Sequence, residues 1–378
     1  MYSKKASLLM ILFIISLIFM FFIFNQESVE IKAKVIEVDN SDLIQTNISS
    51  IGTQWLSVRI MEGENKGSIV NASNSLLGQL EIDNVFKTGD TILVALDKKD
   101  GKIRRAVAID KYRLNWELIL FLLFVILLLI YGHGIGLKAI FSFIASLFII
   151  WKVLLPGLLS GENPLLFVSL ILIILSAIII FSIAGFTKKG LSAFCGTTIG
   201  LLVTIFITVF FGNKLELQGF TSPYAQTLMI NHLTIDIKSI FFASVVIGAS
   251  GAAMDIAMDI AASMAEILEK KPDISVPELI QSGFNVGRAV IGTMTTTLLL
   301  AYSGGYLTLL MLFLTKNSSY SRILNYKIVA AEILRTVTGS IGLVMVAPIT
   351  AFIGAWVLKV NFNEMVICIK KKIIRLNN

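Results

Sequence analysis

A chain of 378 residues that is 56% hydrophobic and 15% charged is too apolar for an ordinary soluble domain and reads as an integral membrane protein. Its formal charge of +7 does not indicate nucleic acid. Of 32 basic and 25 acidic residues, 12 and 13 lie within residues 27–113, so the basic excess sits among the membrane segments, where the positive-inside rule accounts for it. The two cysteines, Cys195 and Cys368, fall in or beside predicted spans and exclude a disulfide framework or a Cys/His zinc cluster. The two histidines, His133 and His232, are far apart and read as structural or surface residues.

In chain order, Lys4 and Lys5 precede the apolar run Leu8 to Phe24, and "FNQESVE" after it offers no small-x-small cleavage site. Residues 1–26 are therefore expected to be an uncleaved membrane anchor with a cytoplasmic N-terminus. Residues 27–113 change character. The runs "IKAKVIEV", "WLSVRIM", "GSIVNA", "DTILVAL" and "RRAVAID" are β-branched or alternating and are separated by turn signals such as "KTGD" and "KKDGK". About five short strands in a small barrel or sandwich of the OB type are expected, on the extracytoplasmic side. Without aromatic platforms or a basic stripe, this domain is not expected to bind nucleic acid.

Residues 114–378 are expected to form a seven-helix transmembrane domain, with spans near 116–132, 136–155, 164–185, 190–211, 237–264, 285–314 and 328–358. Together with the anchor they make an α-helical polytopic protein of about eight transmembrane helices. Alternate threading puts thirteen Lys/Arg on the inner side and seven on the outer side outside the β domain. Both termini are then cytoplasmic, with a lipid bilayer as the surroundings. Two longer connections stand out: residues 211–236 on the outer side, and 269–288 on the inner side. In the inner one, Ser275 and Glu278 have capping-box spacing and predict a helix start near Val276.

The fifth of these spans contains "GASGAAMDIAMDIAAS", residues 248–263. Asp255 and Asp259 are four residues apart and share a helix face, which helical geometry extends to Gly248, Gly251, Ala262 and Glu266. Each aspartate near a bilayer centre costs about 2.5–3.5 kcal/mol on insertion scales. The pair is expected to line a cavity and hold a proton or a cation, the metal being undetermined; bonding to neighbouring helices is the alternative. Met254 and Met258 point away from this stripe and read as core. The next span, "NVGRAVIGTMTTTLLLAYSGG", crowds Asn285, Arg288, Thr293, Thr295, Thr296 and Thr297 into its first half. An Arg288–Glu266 ion pair with Asn285 nearby is expected at the cytoplasmic mouth, with Thr293, Thr295 and Thr296 facing the aspartates; Arg288 as an ordinary positive-inside anchor is the alternative. Glu332 and Arg335, at i and i+3 in the last span, are candidates for an outer gate or for a pair that merely neutralises itself near the surface, and Gly342 and Pro348 permit a kink there.

The two motifs "GAAMDIAMDIAASMAEI" and "SGFNVGRAVIGTMTTTLLLAYSGG", in this order, resemble the signature region of the YibE/F-like family of bacterial multipass membrane proteins, over roughly residues 116–358. The family pattern often has an amide at the position of Thr296, so the resemblance implies a polar role there. It also implies a sibling membrane protein as a partner and implies no substrate; a homo-oligomer is the alternative expectation.

The leading expectation is a transporter of an ion or small solute, proton- or cation-coupled through Asp255 and Asp259. A non-transporting scaffold or subunit of a larger membrane complex is the alternative. An enzyme is not expected, and no cofactor beyond a cation at the aspartates. "GASG" matches a serine-protease pattern at Ser250, but no histidine follows it in the chain to serve as base.

Overall fold

A computed structural model describes residues 30–359 apart from 81, 100–101, 162 and 316–318. The expected anchor and the basic C-terminal tail lie outside the described residues. Two compact units divide the chain, residues 24–131 and the remainder from Gly132 onward.

All five expected strands are present, joined by a three-residue sixth. They are β1 (Glu30–Asp39), β2 (Leu43–Gln45), β3 (Ser50–Ile60), β4 (Ile69–Leu77), β5 (Thr91–Lys99) and β6 (Lys102–Lys111). β1 pairs with both β3 and β5; β3 continues to β4, β4 pairs in parallel with β6, and β6 returns to β5. The five longer strands thus close into a small barrel, and β2 is appended to β3. The period-2 pattern puts Val35, Leu56, Val58, Ile92 and Val94 inside, each at most 2% exposed. Gly52 is required at a positive φ of 127°, where a side chain would run into the Asp42 carbonyl.

Among the described residues of the barrel, the side chain of Gln54 is polar and fully enclosed. Gln54 Nε2 donates to Asn40 Oδ1 at 2.8 Å and to the Phe86 carbonyl at 3.0 Å, while Oε1 accepts from the Phe86 amide at 3.0 Å and from Asn74 Nδ2 at 3.1 Å. A buried amide so fully paired ties the β4–β5 connection to the middle of β3. Gln54→Leu is expected to orphan the Phe86 amide at a cost of about 1–3 kcal/mol, read as faster hydrogen exchange at Phe86.

The rest of the chain is helical. After α1 (Leu114–Ile149), a π-helical turn (Ile150–Leu154) leads to the short α2 (Leu155–Leu159). Then come α3 (Pro164–Ala184), α4 (Lys188–Lys214), α5 (Ala225–Asn231), α6 (Ile237–Lys270), α7 (Val276–Gly305), α8 (Leu307–Thr315), α9 (Tyr320–Leu324) and α10 (Lys327–Lys359). Among the described residues, five helical stretches are long and apolar enough to cross a membrane, or six if the bent pair α7–α8 counts as one span. The spans expected at 116–132 and 136–155 appear as one stretch, Leu114–Leu159, broken at His133, whose φ of 44° lies between Gly132 and Gly134. The span expected at 285–314 instead starts at Val276 and bends by 67° after Gly305. The capping box predicted at Ser275 is present: Glu278 N–H donates to Ser275 Oγ and Ser275 N–H to Glu278 Oε2.

The bundle is organised around α10, which packs against α4, α6 and α7. α4 buries Ser192, Gly196, Gly200, Thr204, Thr208 and Gly212, every fourth residue along one stripe. A methyl group added at Gly196 would meet Thr350, one at Gly200 would meet Val346, and one at Gly342 of α10 would meet Thr204. Backbones this close are the small-residue packing that joins helices in lipid, where no hydrophobic drive pulls them together. The Thr204 and Thr208 hydroxyls donate to their own helix carbonyls at 2.9 and 2.7 Å. Gly200→Val is expected to overpack this seam, lowering stability by about 1–3 kcal/mol in thermal melts of the detergent-solubilised protein.

Candidate functional site

α6 starts from an N-cap aspartate: Asp236 accepts from the Ser239 amide at 3.1 Å and from the Ser239 hydroxyl at 2.5 Å. Most of the helix beyond is enclosed by α3, α4, α7 and α10. Between Ser239 and Ala265, four residues are exposed: Gly248, Gly251, Asp255 and Asp259. Its openings therefore fall on the single stripe that carries the two acids. Glu266 continues that line, also exposed. Met254 is 5% exposed and Met258 packs against the core, as their direction from the stripe predicts. Ser250 is buried, and its hydroxyl donates to the Ile247 carbonyl at 2.7 Å.

α7 runs antiparallel beside α6, and three contacts set the register. A methyl at Gly283 would lie 2.7 Å from Met264 Sδ, one at Gly287 would lie 3.4 Å from Ile260 Cδ1, and one at Gly248 would meet the Tyr302 hydroxyl. Continuing this register puts Arg288 at the depth of Asp259, Gly292 and Thr293 at the depth of Asp255, and Gln281 at that of Glu266.

Two expectations are corrected here. Glu266 does not pair with Arg288; it pairs with Lys270 at 2.6 Å, one turn along its own helix. The reason is the turn Lys271–Ser275, so short that α7 climbs alongside α6 from Val276 and carries Arg288 about two turns past Glu266. The threonine hydroxyls do not reach the aspartates either. Thr293 donates to the Val290 carbonyl at 3.0 Å, Thr295 to Ile291 at 2.9 Å and Thr296 to Gly292 at 3.3 Å, the usual recourse of a hydroxyl on an apolar helix. Asn285 is exposed and accepts from Gln281 Nε2 at 3.2 Å. Among the described residues, Asp255, Asp259 and Arg288 take part in no ion pair.

Glu332 and Arg335 are brought together as expected. Arg335 Nη1 lies 3.7 Å from Glu332 Oε1, with side chains 17% and 16% exposed respectively. Arg335 also donates to the Tyr306 hydroxyl at 3.4 Å and stacks over Phe241 at 5.7 Å. A cavity of about 220 Å³ opens beside the pair, lined by Tyr302, Ser303, Tyr306, Glu332 and Thr336 among apolar neighbours. Three buried polar atoms without a hydrogen-bond partner belong to residues here: the Tyr302 hydroxyl, Glu332 Oε2 and Arg335 Nε. Such atoms are costly to leave unpaired; Tyr302 and Glu332 line the cavity, Arg335 does not, and the Tyr302 hydroxyl rests on Gly248. Among the described residues, no three His, Cys, Asp or Glu side chains cluster as metal ligands.

Tyr302 and Tyr306 are the functional candidates that sequence reasoning missed. Tyr302 is the physical link between the two charged groups, since its ring lines the cavity while its hydroxyl rests on Gly248, at the head of the acid stripe. The signal for it was the register of α6 against α7, which places residue 302 opposite residue 248 once the turn length is known.

Residues 120–360 match the YibE/F-like protein family, and residues 27–112 match the YibE/F family N-terminal domain. The chain belongs to the YibE/F-like family. The first match covers α3, α4, α6, α7 and all of α10, and with them the acid stripe and the cavity; the second covers the barrel. No curated protein and no solved structure matches the chain.

Arg335→Leu is expected to leave the Glu332 carboxylate buried without its counter-charge, a loss of about 3–5 kcal/mol. Combining it with Glu332→Leu is expected to recover most of that loss, as measured by thermal melts of the single and double variants.

Proposed function

We propose that this protein is a polytopic membrane transporter that moves a cation, or a small solute coupled to a proton or cation, along the α6–α7 face. The observation that carries this reading is the form of α6. A helix otherwise enclosed by its neighbours is open along one line, and that line holds Gly248, Gly251, Asp255 and Asp259. Two carboxylates one turn apart repel each other, and a shared proton or a bound cation relieves the repulsion. Intramembrane acids facing lipid are disfavoured by several kcal/mol, whereas acids along a polar route are what ion and proton pathways use. The Tyr302 ring lines the cavity beside Glu332 and its hydroxyl rests on Gly248, at the head of this line, which supports a route between the two charged clusters.

In this reading Asp255 and Asp259 take up and release the transported or coupling ion. Arg288 stands level with Asp259 and Thr293 level with Asp255, Thr295 and Thr296 follow within the next turn, Asn285 and Glu266 line the cytoplasmic approach, and Glu332 with Arg335 forms the outer gate. The break at His133 divides Leu114–Leu159 into two spans; counted so, and with the anchor, the chain crosses the membrane eight times. Both termini are then cytoplasmic in a bacterial cell, and the OB-type barrel is extracytoplasmic. The second reading is a non-transporting subunit of a larger membrane complex, favoured by the acid line lying open on the single chain rather than enclosed within it.

Purified protein in proteoliposomes, loaded with pH-sensitive and divalent-metal-sensitive dyes, separates the two. The Asp255→Asn, Asp259→Asn double variant is expected to lower flux at least about tenfold with an unchanged melting profile, since it removes the charge that defines the site. Flux equal to that of the parent protein removes the mechanism and leaves the subunit reading.

A further inference from the structure

The acid stripe poses a problem that one copy of the chain does not solve. Asp255 and Asp259 are exposed on the surface of the bundle, and so are Arg288, Gly292, Thr293 and Thr296 on the adjoining face of α7. Both helices are of the length and composition that cross a membrane, α7 together with α8. A charge pointing at acyl chains from this depth is disfavoured, so something polar covers the face. The apolar segment Leu8–Phe24 of the same chain is a poor cover, since it offers one hydroxyl, Ser16, and no cation.

The face carries its own counter-charge. Asp259 and Arg288 are of opposite sign, lie at one depth by the α6–α7 register, and are unpaired among the described residues. A two-fold axis along the membrane normal preserves depth, so it brings Arg288 of a second copy level with Asp259 of the first, and the reverse. The surface between them is shaped for close approach: an added methyl at Gly251 or at Gly292 meets nothing within 4 Å in the single chain. Gly292 sits at the depth of Asp255 and Gly251 one turn beyond it, where small residues let two helix pairs come together.

We infer that this face is covered by a second copy of the chain, related by a two-fold axis along the membrane normal, with Arg288 of each copy paired to Asp259 of the other. Asp255 of both copies then lies inside the interface, and the acid site is incomplete without the second copy. This pairing goes beyond the transport reading and does not depend on it.

The test uses the full chain, co-expressed with two different tags and captured from lipid nanodiscs through one of them. Parent copies are expected to co-purify. Asp259→Arg in both copies, or Arg288→Asp in both, sets like charges against each other and is expected to lower capture at least about tenfold. Mixing an Asp259→Arg copy with an Arg288→Asp copy restores both contacts in trans and is expected to bring capture back to near the parent level. Gly292→Leu, which fills open space in the single chain, is expected to block pairing without altering charge. Three results overturn the inference. One is parent copies that do not co-purify, which hands the face to lipid or another protein. Another is reversal or Gly292→Leu variants that pair as well as the parent. The third is a mixed pair that stays apart while each variant melts like the parent, as an Asp259–Arg288 contact within one chain would give. Because capture reads no flux, failure here and failure of the transport reading are distinguishable.

Discussion

The seam between α4 and α10 is the contact on which the helical unit depends. Gly196, Gly200 and Gly342 bring the two backbones to a separation that no side chain would permit, and Thr204, Val346 and Thr350 fill what remains. In lipid, apolar surface gains little by turning inward, so helix pairs are held by packing contacts of this kind. With α10 fixed against α4, its other sides are left for α6 and α7: Gly287 meets Ala347, Gly283 meets Ala351, and Gly339 meets Ala249. The Glu332–Arg335 pair and the acid stripe owe their relation to each other to this one helix.

Much of the architecture was legible because it rests on local rules. Five strands followed from period-2 alternation between turn residues, and the start of α7 followed from the Ser275–Glu278 capping box. The acid stripe followed from the i to i+4 spacing of Asp255 and Asp259. What failed was depth. The partner of Glu266 was sought across the helix pair by counting depth from the edge of the hydrophobic window near Asn285, when the register is set by the turn at Lys271–Ser275. Hydropathy reports where a helix meets lipid and is silent about how far the same helix extends beyond, so a register built on it slipped by about two turns. The threonine hydroxyls show a second limit, because a residue type states what a side chain can bond and not whether its own backbone has already claimed it.

The four-residue repeat on α4, from Ser192 to Gly212, was written in the sequence as plainly as the acids were. It carries meaning only against the matching repeat on α10, Thr338, Gly342, Val346, Thr350 and Gly354, more than a hundred residues away. Tyr302 was hidden for the same reason: nothing near it in the chain marks it, and its role comes from Gly248 on the neighbouring helix. Charged residues announce themselves in an apolar chain, whereas the small and aromatic residues that position them do so only once the helices are paired.

Closure of the barrel has a consequence for how that domain meets other molecules. Each of its five longer strands has a hydrogen-bonded neighbour on both sides, and the open backbone at its margin belongs to β2, three residues long. A free sheet edge is a template on which a foreign strand adds itself, and the barrel offers almost none. Contact with another protein therefore falls to side chains on its faces and to its loops. The same closure guards a domain made largely of β-branched runs against the edge-to-edge assembly that ends in fibrils.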